Sequence, residues 1–305
     1  MATKKACAKE EAVRLLKKAG SIKSTEKQIK FAVNYLNYFG YVPFELLNNL
    51  SEAQLQKAVK AFQRAFNLKV DGIIGPKTLR AMDTPRCGCP DQLDKHNEQH
   101  LQFITAQDIA VEKRNRWNKQ GLLYYIETYL PGKVAKNDQA VTLSSAFKAW
   151  DDVCGLTIKE TKDKKKADII VTTGRGSNNN FDGQGGTLAW AYLPTGDNRQ
   201  LTMKFDLDET WVNKPTDRGI LLSNVACHEF GHLLGLKHST KPQALMAPYY
   251  NPFVGTPQQS DDIARIQKIY GPNTQALQMK NIRKIGDNLA VVLQPGQKLV
   301  VSCDA

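Results

Sequence analysis

Apolar residues recur at intervals of three and four over 8–19, 25–39 and 51–66, the spacing that lines one face of an amphipathic helix. In the third stretch Leu55, Val59, Phe62 and Phe66 share a face behind Ser51, an N-cap residue type. Turns at Asp71-Gly72 and Gly75-Pro76 lead into a short helix ending at Met82. The first third therefore predicts a small domain of about three helices. Residues 92–116 are polar and without strong period, as in a linker. From Trp117 the texture changes. Strand patterns at 122–130, 167–174, 187–193 and 201–207 alternate with helical patterns at 138–153, 217–236 and 260–271, and a glycine-rich loop covers 181–186. The 138–153 helix is expected to open at an acidic cap. Such alternation predicts a mixed sheet packed against helices. Two apolar runs, 289–293 and 298–303, flank Gln294-Pro295-Gly296-Gln297 and predict a C-terminal β-hairpin.

Composition narrows the class. With 41% hydrophobic and 24% charged residues in 305, the chain is globular and neither disordered nor collagen-like. No run of 18 apolar residues offers a membrane span. Lys4 and Lys5 are not followed by an apolar stretch, so no secretory leader is visible. The net charge is +12, of which residues 1–116 carry 20 Lys/Arg against 12 Asp/Glu, or +8; this basic region could meet an acidic surface or a glycan. Six cysteines (Cys7, Cys87, Cys89, Cys154, Cys227, Cys303) are scattered through a long chain and leave the redox compartment open. There are five histidines: His96, His100, His228, His232 and His238.

Three of the five fall in HEFGHLLGLKH, residues 228–238. On a helix, His228 and His232 leave the same face one turn apart and can grip one ion. Gly235 lets the backbone turn sharply, which returns His238 to that ion. Three neutral imidazoles leave a tetrahedral zinc with one open position for water, the catalytic arrangement. Glu229 stands beside the first ligand, placed to take a proton from the zinc-activated water and pass it to a leaving amine.

With this motif the chain resembles the metzincins, and among them the matrix metalloproteinases (matrixins). The resemblance places Met246, in QALMAPYY, as a support beneath the histidines. It places Asn224, Pro248 and Tyr250 at the pocket for the substrate side chain after the cut, and Ala189 and Ala191 on the strand that pairs with substrate. Residues 85–91, PRCGCPD, resemble the family's cysteine switch, so Cys87 would occupy the open zinc position in a zymogen and Arg86 would pair with Asp91 to brace the loop. Residues 25–82, with YLNYFGYV (35–42), resemble the family's peptidoglycan-binding-like propeptide. The tail is far too short for the hemopexin-like domain of many relatives.

The implied fold class is α+β: a three-helix propeptide, then a catalytic domain with a mixed, mostly parallel five-stranded sheet and three helices, then a hairpin-like extension. The implied divisions are 1–24, an N-terminal extension; 25–91, the propeptide; 92–116, the linker and activation segment; 117–271, the catalytic domain; and 272–305, the C-terminal extension. The function implied is a latent zinc endopeptidase acting on extended polypeptides, monomeric, secreted, freed by an activating protease that cuts within 92–117, with no nucleic-acid partner and no membrane span. Asp261 and Asp262 sit where the family captures the new N-terminal ammonium. An intracellular processing protease, or a catalytically silent glycan- or wall-binding protein, are the alternatives.

Departures from the family are as informative. A second, structural zinc is usual there, yet its three histidine positions read Asn178, Trp190 and Lys204. One zinc is therefore expected, with the Lys204 ammonium near Asn178 and Trp190 filling volume. The family's calcium loop, by contrast, is matched by Asp182, Gly183, Gly185 and Thr187, with Asp206 and Glu209 as its carboxylates, so the resemblance implies a calcium site; oxygen donors on a glycine-bent loop suit that ion. Cys89 stands at the variable switch position, and Cys227 is expected to pack in its helix.

Overall fold

The computed structural model describes residues 25–91, 115–274 apart from 133 and 216, and the backbone of 282–285 and 288–291. The predicted helix over 8–19, most of the 92–116 segment, and the run 298–303 lie outside the described residues.

The N-terminal unit holds α1 (Glu26–Tyr38), α2 (Glu52–Ala65) and α3 (Pro76–Met82). The first two begin at capping boxes, Thr25 with Gln28 and Ser51 with Gln54, which satisfy amide groups that an isolated helix start leaves open. α3 begins with a proline at its first position, where no amide is needed. Ile29, Val33, Leu36, Leu55, Val59 and Phe62 form the buried face between them. The loop before α3 is pinned by buried Gln63, which accepts from the Gly72 amide (2.8 Å) and donates to Asp71 (2.9 Å).

The larger unit is built on a sheet in the order β1-β5-β6-β4-β2-β3. Its strands are β1 (Arg86–Cys87), β2 (Gly121–Ile126), β3 (Thr157–Glu160), β4 (Ile169–Gly174), β5 (Thr187–Ala191) and β6 (Leu201–Asp206). Only β5 and β6 pair antiparallel; β1 pairs parallel with β5, and β4 parallel with β2 and β6. The sixth strand is the difference from the five expected, and it comes from the switch-like segment. Two residues cannot announce themselves as a strand by periodicity; pairing with an existing edge makes them one. A small parallel pair, β7 (Trp211–Val212) and β8 (Ile220–Leu221), leads into the central helix.

Helices α4 (Lys136–Asp151), α5 (Leu222–Leu233) and α6 (Ala264–Tyr270) complete this unit. α4 begins two residues before the expected acidic cap: Ala135 is its N-cap and no side chain caps it. α5 begins at Leu222 rather than 217, because Gly219 takes φ 152° and residues 220–221 pair as β8. A ring stack ties sheet to helices: Tyr124 on Phe147 (4.3 Å between centroids) and Phe147 on Phe230 (3.3 Å). Trp150 donates to the Cys227 carbonyl at 2.8 Å, and Cys227 is buried in the helix packing as expected. At the C-terminal end the antiparallel hairpin pairs β9 (Ile282–Ile285) with β10 (Asn288–Val291). Residues 289–291 of the 289–293 run thus pair upstream, and the expected partner run 298–303 lies outside the described residues.

The end of α5 is set by Gly235. Its φ is 102°, a region that side chains strain to enter, and a Cβ there would lie 1.9 Å from the Asn115 carbonyl oxygen. The α5 carbonyls of Leu233 and Leu234 are capped by Trp117 Nε1 (2.7 Å) and Tyr270 Oη (3.0 Å). Gly235→Ala is expected to cost at least about 2 kcal/mol through steric clash and backbone strain, read as a lower urea midpoint of the full chain with an unchanged slope.

Candidate metal centre

α5 carries His228 and His232 one turn apart, and the turn at Gly235 brings His238 to the same point. The first two rings are held by the nitrogen facing away from that point. His228 Nδ1 meets the Leu245 carbonyl and His232 Nδ1 the Leu236 carbonyl, both at 2.7 Å. His238 Nδ1 lies 2.8 Å from Asp91 Oδ1 with no other polar partner, a short approach in which the N–H does not point straight at the oxygen. Carbonyls accept, so Nδ1 carries the proton and Nε2 is left as a free electron-pair donor. Burial, with the neighbouring His238, lowers the His228 pKa to about 3. Burial also holds His232 well below its ordinary value. The imidazoles are therefore neutral, as ligation requires.

Cys87 enters this cluster from β1. Its sulfur is 3.4 Å from His232 Nε2, and His232 Nε2 is 3.2 Å from His238 Nε2. The four donor atoms of Cys87, His228, His232 and His238 all lie within 4.8 Å of one another. A tetrahedral zinc with ordinary bond lengths separates nitrogen ligands by about 3.3 Å and a sulfur from a nitrogen by about 3.5 Å. The spacings found fit that ion, and His228 Nε2 is buried without another partner.

Glu229 is wholly buried beside the cluster, its oxygens without conventional hydrogen-bond partners. Burial raises its pKa to about 8, an effect the nearby Cys87 thiol partly offsets. Beneath, Met246 is fully buried against Gly231 of the histidine motif. A Cβ on Gly231 would lie 2.3 Å from the Met246 sulfur, so this glycine permits the close packing. Asp262, read in the sequence as a capture site for an ammonium, spends both oxygens on backbone. It accepts from Leu245 (2.7 Å), Met246 (3.1 Å) and Gln258 (2.9 Å), and so pins the turn that supplies His228's carbonyl. Asp261 instead meets Arg265 at 3.2 Å.

The 85–89 segment lies between two walls. Gly88 donates to the Ala189 carbonyl (2.8 Å), and the Cys89 thiol to the Ala191 carbonyl (3.2 Å). On the other side Cys87 donates to the Pro248 carbonyl (3.0 Å), and Tyr250 donates to the Pro85 carbonyl (2.8 Å). A cavity of about 30 Å³ adjoins the cluster, lined by Leu188, Asn224, His228, Pro248 and Tyr250 among others. Asn224 donates to the Asn251 and Pro252 carbonyls, so its amide is spent on the pocket's own loop.

Arg86 is 1% exposed. Its two terminal nitrogens donate to Asp91 at 2.6 and 3.1 Å, and its guanidinium lies 3.5 Å from the Phe39 ring centre. Arg86 also donates to Tyr35 Oη (2.7 Å), while Tyr41 Oη donates to Asp91 (2.6 Å). Burial works against the Asp91 charge, but Arg86 and His238 hold its pKa well below the usual carboxylate range. The aromatic partners Tyr35, Phe39 and Tyr41 were not singled out as site residues in the sequence; the only signal was the YLNYFGYV stretch that contains them.

At the expected second metal site, Lys204 donates to Asn179 Oδ1 (2.8 Å) and lies 5.5 Å from the Trp190 ring centre, while Trp190 Nε1 donates to the Asn179 carbonyl (2.8 Å). The partner is Asn179, not Asn178, which is exposed. A short 3₁₀ turn over Ser177–Asn179 rotates the second asparagine inward. The calcium set is not drawn together like the Cys87 cluster. Asp182 accepts from Thr187 (2.7 Å), Glu209 accepts from Gly185 (2.6 Å), and Asp206 accepts from Asp208 (2.9 Å). Asp206 Oδ2 is buried without a partner. Burial and the neighbouring carboxylates raise the pKa values of Asp206 and Glu209.

Among the described residues no helix is long and apolar enough to cross a membrane. The matrixin family profile matches residues 116–271, and that of the peptidoglycan binding domain matches 25–82. The chain is 35% identical to a hatching enzyme of Paracentrotus lividus over 82% of its length and 40% of that protein's. It is 40% identical to an interstitial collagenase of Equus caballus over 72% and 44%. It is 35% identical to matrix metalloproteinase-19 of Homo sapiens over 80% and 46%. It thus spans less than half the length of these relatives. With a family match across just over half the chain, placed on the helix that gathers three imidazoles around one point, the chain belongs to the matrixin family of metalloendopeptidases.

Proposed function

We propose that this chain is a latent zinc endopeptidase of extended polypeptides, held inactive by Cys87 and carrying one zinc, on His228, His232 and His238. The observation that carries the reading is the cluster of one thiol and three converging imidazoles beside a buried carboxylate. When bound, zinc supplies Lewis acidity that lowers the pKa of water and polarises the scissile carbonyl.

The chain's own residues do the rest. Glu229 takes a proton from the attacking water and delivers it to the leaving nitrogen. Ala189 and Ala191 offer backbone groups to an extended substrate. A substrate side chain enters beside Asn224, Pro248 and Tyr250. In the latent form residues 85–89 take up backbone groups of Ala189, Ala191, Pro248 and Tyr250, so the segment excludes both the water and the substrate backbone. The Arg86–Asp91 pair braces it, and Met246 supports the ligands. Release requires a protease acting between the switch and the catalytic unit. Secretion is the setting that fits with the matrix-directed names of the relatives.

Lys204, Asn179 and Trp190 replace a second zinc by a hydrogen bond and a cation–π contact. Calcium at Asp182, Asp206 and Glu209, with the carbonyls of Gly183, Gly185 and Thr187, would answer the unpaired Asp206 oxygen and the crowding of carboxylates.

Three measurements test this reading. Glu229→Gln in the activated protein is expected to lower kcat on a quenched peptide by roughly 10²–10⁴-fold while zinc content stays unchanged. Cys87→Ser is expected to cleave the peptide without prior proteolysis; a variant as silent as the parent would remove the latency mechanism. Metal analysis is expected to return one zinc per chain, and calcium chelation to lower Tm; two zinc ions, or a Tm indifferent to calcium, would overturn those two assignments.

A further inference from the structure

The three histidines differ in what holds their outer nitrogens. His228 and His232 are oriented by the carbonyls of Leu245 and Leu236, within the catalytic unit. His238 is approached only by Asp91, which belongs to the segment that activation removes. That carboxylate is itself buried, and its oxygens are fixed by Arg86 and by Tyr41. It is therefore a rigidly held carboxylate with an oxygen 2.8 Å from one ring nitrogen. A carboxylate on the far nitrogen of a ligating histidine fixes its tautomer and raises its basicity, and loss of such a partner typically weakens metal binding 10–100-fold.

We propose that Asp91 is a positioning residue for the third zinc ligand, so that the zymogen binds zinc more tightly than the mature enzyme by more than the Cys87 bond alone accounts for. The propeptide then has a second task besides blocking the cleft. It is the metal-loading form of the protein, and its departure strips one histidine of its orienting partner in the same step that opens the coordination position. Because both effects arise from one seven-residue segment (85–91), the enzyme acquires its metal before it can act, and becomes sensitive to chelators afterwards. This inference rests on the zinc reading of the cluster.

The test uses four full-length proteins: the parent, Asp91→Asn, Cys87→Ser, and the double variant. Each is loaded with zinc, and the rate of zinc transfer to a chromophoric chelator is followed. Asp91→Asn is expected to speed zinc loss roughly tenfold or more, both with Cys87 present and in the Cys87→Ser background. If Asp91 only braces the thiol, its effect vanishes in the serine background, and that result overturns the proposal. A second readout is the ring-nitrogen NMR spectrum of the zinc-loaded chain. Asp91→Asn is expected to shift the His238 Nδ1 signal while leaving that of His232 in place; an unmoved His238 signal also overturns the proposal. A parent chain that takes up no zinc would instead remove the metal reading itself.

Discussion

A guanidinium buried to 1% exposure has to be paired, and the pairing of Arg86 with Asp91 is the constraint on which the arrangement of the 85–91 segment depends. The pair is not isolated. Phe39 stacks against it, Tyr35 and Tyr41 complete its hydrogen bonding, and all three come from the N-terminal helical unit. Removing one charge would leave the other buried and uncompensated, so the loop between them has one well-defined conformation. That conformation places the Cys87 sulfur 3.4 Å from His232 Nε2. Cleft and helical unit are thus coupled through one ion pair and the aromatic cage around it.

Around the ligands, rigidity comes from backbone acceptors. The Leu245 carbonyl that orients His228 sits on a turn held by Asp262, and the Leu236 carbonyl that orients His232 sits just past the Gly235 turn. The geometry is therefore built from chain path more than from side-chain chemistry, which is why glycine and a buried carboxylate matter as much as the histidines. At the sheet edge, the 85–89 segment pairs parallel with β5 and bonds its Ala189 and Ala191 carbonyls. In the reading proposed here, inhibition is occupancy of the cleft from both walls, with the thiol as its centre.

The loop before β5 shows a different solution to an old problem. A glycine-rich excursion has little core of its own and needs a tie. Here one ammonium, one amide and one indole supply it through Lys204, Asn179 and Trp190. Such a tie needs no ion; beyond it, burial and neighbouring carboxylates raise the pKa values of Asp206 and Glu209.

The sequence by itself determined much that depends on local pattern. The helix cap at Ser51, the 228–238 spacing and the apolar periodicities are short-range features, because capping, helical pitch and burial act over a few residues. It also carried the switch-like PRCGCPD and the loss of three histidines. Tertiary structure decided what depends on distant partners. Residues 86–87 became a sixth strand only because β5 offered an open edge. Asn179 rather than Asn178 faces Lys204, since a 3₁₀ turn sets which asparagine points inward. Asp262 braces the turn that orients His228, and Asp91, read as a loop brace, is a neighbour of His238 as well. No local rule links position 91 to position 238; only the fold, by burying both beside one point, brings the carboxylate to the ring.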